Sequence, residues 1–113
     1  MNDDDMKVKL SLRIFNNENK AFGPGIARLL QLIESEGSLH KASKTMNIAY
    51  SKAWKILKES EKALGFELVE GKRGGVDGGG SKLSKKGSEI LDKYIKFSQR
   101  AEEEVEKIFT EFF

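Results

Sequence analysis

Five lysines in a short stretch without carboxylates are the first feature of this sequence with chemical meaning. No Asp or Glu stands between residues 38 and 58, where the five are Lys41, Lys44, Lys52, Lys55 and Lys58. From residue 40 to residue 86, eleven basic residues oppose five acidic ones, so this part carries +6 within a chain of net charge +2. A basic block between acidic arms indicates a surface for a polyanion, although a solvated lysine face is the commoner meaning of such a cluster taken alone.

Residue counts argue against most catalytic and metal chemistry. The chain has no cysteine and one histidine, His40, so it lacks thiol nucleophiles, disulfides and enough ligands for a transition-metal site. Six glycines lie between Gly71 and Gly80, but no G-x-x-x-x-G-K-[ST] motif occurs there and no phosphate-binding helix is predicted to follow. We therefore expect a protein that is not an enzyme, with no catalytic residue, no metal and no cofactor.

The lysines are positioned by three predicted helices. Helix 1 covers Ile26 to Glu36, where apolar residues recur at helical spacing, and Gly37 ends it. Ser38 is a suitable N-cap for helix 2, whose apolar positions are Leu39, Ala42 and Met46.

Helix 3 is predicted from Ala49 or Tyr50 to Leu64, and Gly65 stops it. It buries Ala53, either Ile56 or Leu57, and Leu64. Two short helices joined by a tight turn and followed by a longer helix are typical of a helix-turn-helix, in which helix 3 enters the major groove of DNA. Trp54 is predicted to lie in the core, because small domains seldom leave a tryptophan in water.

Two short β segments are predicted around these helices. Met6 to Phe15 alternates apolar and polar residues, which predicts a half-buried strand, and Lys20 to Phe22 follows a turn as its return strand. Phe66 to Glu70 and Ser81 to Ser84 are predicted to pair around the glycine-rich segment. A flexible hairpin tip that carries Lys72 and Arg73 is typical of a wing.

The last predicted element is a helix from about Lys85 to Phe113. Its apolar seam is too long to be covered by one small domain, so we expect it to pack against a second copy. The residues assigned to this dimer interface are Ile90, Leu91, Tyr94, Phe97, Ala101, Val105, Ile108 and Phe112.

Several ordered motifs resemble the N-terminal DNA-binding domain of the ModE molybdate-responsive regulators, and more distantly the LysR-type helix-turn-helix. They extend over roughly residues 8 to 94 and are Gly23-Pro24-Gly25, Leu29-Leu30, Gly37-Ser38-Leu39, Ala42, Tyr50-Ser51-Lys52-Ala53-Trp54, Leu64-Gly65-Phe66-Glu67-Leu68, Gly74-Gly75, Gly78-Gly79-Gly80 and Leu83-Ser84-Lys85-Lys86-Gly87. Two positions depart from the LysR-type pattern: Ala49 replaces a capping Ser or Thr, for which Ser51 is the substitute, and Ser84 replaces Thr.

The resemblance implies a winged helix-turn-helix that dimerises through its terminal helices and binds an inverted-repeat operator. Family members carry oxyanion-binding domains after this one, and 113 residues leave no room for them, so molybdate binding is not expected. The predicted organisation is a disordered N-terminus at 1–5, a winged helix-turn-helix at 6–86 and a dimerisation helix at 87–113. The predicted fold class is mainly α with small β.

The candidate DNA contacts lie on helix 2, on helix 3 and in the wing. For Ser51, Lys52 and Lys55, contact with bases and contact with phosphates alone both stay open. Tyr50 is either a phosphate donor or a packing residue. The remaining candidates are Ser38, Lys41, Lys44, Lys58, Lys72, Arg73 and Lys82.

The sequence thus predicts a homodimeric, sequence-specific transcriptional regulator that binds double-stranded DNA. Two alternatives remain: a protein-interaction module that pairs with a full-length ModE-type regulator, and a nonspecific nucleic-acid binder. No apolar run approaches the length of a membrane span, and the acidic start does not resemble a secretory signal, so we expect a cytoplasmic protein.

Overall fold

Four helices and two antiparallel hairpins make up the part of the chain that the structure, a computed structural model, describes: residues 5–71 and 80–113. In chain order the elements are β1 (Ile14–Asn16), β2 (Asn19–Phe22), α1 (Pro24–Glu36), α2 (Leu39–Thr45), α3 (Tyr50–Leu64), β3 (Val69–Gly71), β4 (Ser81–Leu83) and α4 (Lys85–Phe112). This arrangement confirms the predicted fold, a mainly α winged helix-turn-helix with an N-terminal hairpin and a long C-terminal helix.

The N-terminal strand is shorter than the alternation predicts. It begins only at Ile14 and pairs with β2, with a bulge between Ile14 and Phe15. A strand needs a neighbour that accepts and donates backbone hydrogen bonds. Within the described chain residues 6–13 have no such neighbouring strand, so the prediction for Met6 to Phe15 is wrong for most of its length.

The helix ends follow local chemistry. Helix α1 begins at Pro24, two residues before its predicted start, because a proline at the first helical position loses no hydrogen bond. Gly37 and Gly65, which end α1 and α3, have φ values of 87° and 84° in the left-handed region that favours glycine. Ser38 caps α2 as predicted, and its Oγ accepts the backbone N–H of Lys41 at 3.0 Å.

The core lies between α1, the two other helices of the helix-turn-helix and the base of the wing. Its largest fully buried apolar side chains are Phe22, Leu29, Leu30, Ile33 and Leu68. Tyr94 of α4 closes one side: its ring centroid lies 5.0 Å from that of Phe22, and its hydroxyl donates to the carbonyl of Leu12 at 2.7 Å. The first turns of α4 therefore belong to the domain core.

The wing joins α4 through a close backbone approach. Strand β3 is shorter than predicted, and its Val69 pairs with Leu83 of β4. Ser84 caps α4, since its Oγ accepts the N–H of Gly87 at 2.9 Å, and its own N–H donates to the carbonyl of Leu68 at 2.9 Å. A Cβ at Gly87 would stand 2.1 Å from that same Leu68 oxygen. Only glycine allows this approach of helix to wing.

Candidate nucleic-acid interface

Helices α2 and α3 form the helix-turn-helix, and a short turn fixes their relative position. The N–H of Met46 donates to Ala42 and that of Ile48 to Ser43, at 3.0 and 3.1 Å. Asn47 adopts a left-handed φ of 57°, a conformation that asparagine tolerates. The buried side chains Leu39 and Ala42 then seat α2 on the core, so that its lysines face away from it.

One face of α3 is buried and the opposite face meets solvent. Ala53 and Leu57 are buried, and the Ser60 hydroxyl donates to the carbonyl of Ala21, which ties α3 to β2. Positions three or four apart on a helix share a face. The exposed outer face therefore carries a row of polar residues, which are Ser51, Lys55, Lys58 and Lys62.

The predicted contacts on α3 reach this outer face. Ser51, Lys52 and Lys55 are exposed, as a groove contact requires. Lys55 meets one carboxylate, Glu59, at 3.9 Å, and both side chains are well exposed. Such surface pairs are weak, so the ammonium group of Lys55 stays available to a ligand.

Lys62 belongs to this row but is not among the contacts predicted from the sequence. It lies four residues after Lys58, and that spacing alone places it on the same face. Ser51 does not cap α3, which corrects the sequence-based prediction. Ala49 holds the N-cap position without a side-chain hydrogen bond, and Ser51 lies inside the first turn of the helix.

The cations of α2 lie beside α3. Lys41 and Lys44 are exposed, while the hydroxyl of Ser38 already accepts the Lys41 N–H as a cap. The His40 ring lies 5.9 Å from the ring of Tyr50, centroid to centroid. The first turns of α2 and α3 therefore present one continuous surface.

Lys58 has a different role from the other lysines. Its Nζ lies 3.1 Å from Oε1 of Glu61, whose carboxylate is buried. The other oxygen of Glu61 accepts the backbone N–H of Leu68 at 2.7 Å. Lys58 thus neutralises a buried group that ties α3 to the base of the wing.

Trp54 does not lie in the core, which corrects the sequence-based prediction. Its exposed fraction is 49%, and Tyr50, one turn earlier, has the same value. The buried side chains of α3 include Ala53 and Leu57. At about 100° of rotation per residue, they point roughly 100° and 60° away from Trp54. Lys58 Nζ lies 5.6 Å from the Trp54 ring, in a cation–π arrangement.

One predicted DNA contact lies at the base of the wing. Lys82 on β4 is exposed and pairs in register with Glu70 of β3. Lys72 and Arg73, the predicted contacts at the tip, lie outside the described residues, as do residues 1–4 of the predicted N-terminal tail.

The predicted dimer residues separate into two groups along α4. Leu91 and Tyr94 are buried in the core of the same chain, so their assignment to the dimer interface is corrected. Ile90 is partly buried against that core. Beyond it, Phe97, Ile108 and Phe112 are more than half exposed, and Ala101 and Val105 lie between them with intermediate exposure.

Residues 5–71 and 80–113 contain neither a candidate metal site nor a candidate membrane span. Across these ranges no group of three His, Asp or Glu side chains is arranged to hold a metal ion. Nor does any helix there combine the length and apolarity of a membrane span.

Comparison with known proteins finds similar transcriptional regulators. The chain is 34% identical over 89 residues to the transcriptional regulator ModE of Haemophilus influenzae, an overlap of 79% of this chain and 32% of that protein. It is 29% identical over 94 residues to the DNA-binding transcriptional dual regulator ModE of Escherichia coli K12, covering 83% and 34%. It is 36% identical over 67 residues to the molybdenum transport protein ModE of Azotobacter vinelandii, covering 59% and 25%.

The matches cover only part of each relative. The chain spans about a third or less of the length of the curated relatives it matches. No protein-family model matches it.

Proposed function

Since the chain belongs to the ModE family of transcriptional regulators, we propose that it is a sequence-specific, DNA-binding transcriptional regulator whose α3 reads the major groove. One observation carries this proposal: the outward face of α3 presents Ser51, Lys55 and Lys62 to solvent, while the inward face is fixed in the core. A helix held this way can enter a groove without rearrangement.

Phosphate contacts flank the reading helix in this proposal. Lys41 and Lys44 of α2 grip the backbone on one side, and Lys82 at the wing base grips it on the other. We extend the same role to Lys72 and Arg73 at the wing tip. Such contacts supply affinity and register without reading sequence.

A dimer would bring two such readers onto one DNA duplex. The distal half of α4 exposes Phe97, Ile108 and Phe112, large apolar groups that a partner helix would cover. Two protomers related by symmetry would place their reading helices about 34–36 Å apart on an inverted repeat. We propose a homodimer that acts on chromosomal DNA in the cytoplasm. The expectation that it does not bind molybdate stays a prediction.

The same apolar face of α4 supports a second candidate function. It could pair this chain with a full-length ModE-type regulator in place of a second copy. Mixing the two purified proteins and measuring mass by light scattering separates these cases. A heterodimer that forms at the expense of a stable homodimer would favour the interaction module.

The central test is a footprint or gel shift on the organism's own genomic DNA over a salt series. We expect binding to selected fragments that is far tighter than binding to random duplex, with a clear loss of affinity as salt rises. Equal affinity for all duplexes would favour the nonspecific nucleic-acid binder. Micromolar or weaker binding to every fragment, with no salt dependence, would refute both.

A further inference from the structure

We propose that Trp54 forms a site for the C5 methyl group of thymine, so that the protein distinguishes base pairs by an apolar contact as well as by hydrogen bonds. The inference rests on the proposed function and names a specificity-determining residue for it. No base contact of this kind follows from the lysines and the serine of α3.

The exposed position of the indole is the first observation. Trp54 is 49% exposed on a helix whose inner face is completed by Ala53 and Leu57. A ligand that covers this large apolar ring would remove its exposed surface from water, which is favourable. The ring lies next in sequence to Lys55, on the side of α3 that leads to the outer row.

The indole also has a contact within the protein before any ligand arrives. Lys58 Nζ lies 5.6 Å from the ring centroid and 3.1 Å from Glu61 Oε1. Glu61 in turn accepts the N–H of Leu68 at 2.7 Å. This chain of contacts links the ring to the backbone at the base of the wing.

The surroundings of Trp54 identify its occupant. Its neighbours on α3 include Lys55 and Lys58, each of which pairs with one carboxylate, Glu59 and Glu61. The helix-turn-helix adds the exposed lysines Lys41 and Lys44 of α2, in a stretch of sequence without Asp or Glu. Such a surface favours a polyanion over an apolar protein groove. Among the groups that a DNA duplex presents in its major groove, the thymine methyl is the apolar one.

The test compares DNA with and without that methyl group. A genomic fragment that the protein binds is amplified once with dTTP and once with dUTP, which removes every thymine methyl. Wild type should bind the thymine fragment about three- to fivefold more tightly for each methyl contacted. Because the chain has one tryptophan, its emission should also change when the thymine fragment is added.

Two variants and one control complete the experiment. Trp54→Ala should bind both fragments equally. Trp54→Phe should keep part of the difference in affinity. The phenylalanine variant replaces the alanine variant as the test if circular dichroism shows that Trp54→Ala has lost helix content. Lys44→Ala should weaken both fragments and leave their ratio unchanged, since it removes a phosphate contact.

The possible failures are distinct from one another. Equal wild-type affinity for the two fragments, or an unchanged ratio in both Trp54 variants, would overturn the thymine site and leave the DNA-binding function standing. No binding to either fragment would overturn the proposed function together with this site.

Discussion

Lys55 is the side chain on which the proposed reading of DNA sequence most depends. Its Nζ extends from the outer face of α3, with 74% of the side chain exposed and one weak partner, Glu59. If Lys55 donates to a guanine edge, Lys55→Ala should cost about 1–3 kcal/mol on the selected sequence and much less on other DNA. Competition gel shifts between a bound fragment and a scrambled duplex measure that difference.

Lys44→Ala is the matched control for Lys55→Ala. This exposed lysine of α2 is proposed to contact phosphate, so its loss should weaken all duplexes by a similar factor and reduce the salt slope by about one. If Lys55→Ala behaves in the same uniform way, Lys55 contacts phosphate alone and base reading lies elsewhere on α3.

Glu61 tests how firmly the wing is attached. Its buried carboxylate accepts the N–H of Leu68 at 2.7 Å, so Glu61→Ala leaves that buried donor without its acceptor. We expect a loss of about 1–3 kcal/mol in the free energy of unfolding, measured in urea without DNA. Glu61→Gln retains an acceptor oxygen and should lose less.

Glu59→Ala is the control on the same helix. Its carboxylate is exposed and pairs at 3.9 Å with Lys55, so the stability should change by about 0.5 kcal/mol or less. An equal loss in the Glu59 and Glu61 variants would contradict the role of Glu61 in holding the wing base.

The residues that the sequence could predict are those whose role is local. Ser38 caps α2 because it precedes the helix, and Lys55 is exposed because Ala53 and Leu57 occupy the buried face. Trp54 was not predictable in this way. Its exposure depends on which flank of α3 the core covers, and a large apolar side chain gives the wrong expectation.

At the scale of elements, the junction between the wing and α4 rests on one glycine. A Cβ at Gly87 would stand 2.1 Å from the carbonyl oxygen of Leu68, so Gly87→Ala must separate helix from wing. We expect a loss of about 1–3 kcal/mol in thermal or urea unfolding, despite the better helix propensity of alanine.

Gly25 provides the matched control for that substitution. It too lies in a helix, near the start of α1, and a Cβ there would meet nothing within 4 Å. Gly25→Ala should therefore be neutral or stabilise by up to about 1 kcal/mol. A similar small effect in both variants would show that the wing and α4 separate without cost.

Element boundaries were predictable where the signals are local. The positions of α1, α2 and α3 follow from apolar spacing and from Ser38, Gly37 and Gly65 at their ends. The late start of β1 at Ile14 was not predictable, because strand pairing requires a partner that the alternation over residues 6–13 does not reveal. In α4 the apolar residues recur at the same spacing along the whole helix. The first of them pack in the chain's own core and the later ones are exposed, and the sequence does not mark where packing gives way to exposure.

At the scale of the whole molecule, α4 extends well past the domain that it joins. The chain measures 57 Å along its longest axis and 30 and 22 Å along the others. Tyr94 packs against Phe22, whereas Phe97 and Ile108 further along are more than half exposed. Removing all residues after Lys93 would therefore damage the core as well as the proposed interface, so a point substitution is the cleaner test.

Ile108→Lys should convert the proposed dimer to a monomer. The substitution places a charge within an apolar face that a partner helix would bury, where an unpaired cation is costly. Light scattering at micromolar concentration should give a dimer for wild type and a monomer for the variant. The variant should also bind an inverted-repeat fragment more weakly, because only one reading helix engages per molecule.

Glu103→Lys adds a lysine to the same helix on a different side. Glu103 is exposed and lies five residues before Ile108, well outside the apolar face, so this variant should remain dimeric. If Ile108→Lys remains dimeric as well, the interface lies elsewhere in the chain. A wild-type monomer with full affinity for an inverted repeat would refute dimerisation itself, because each operator half would then be bound independently.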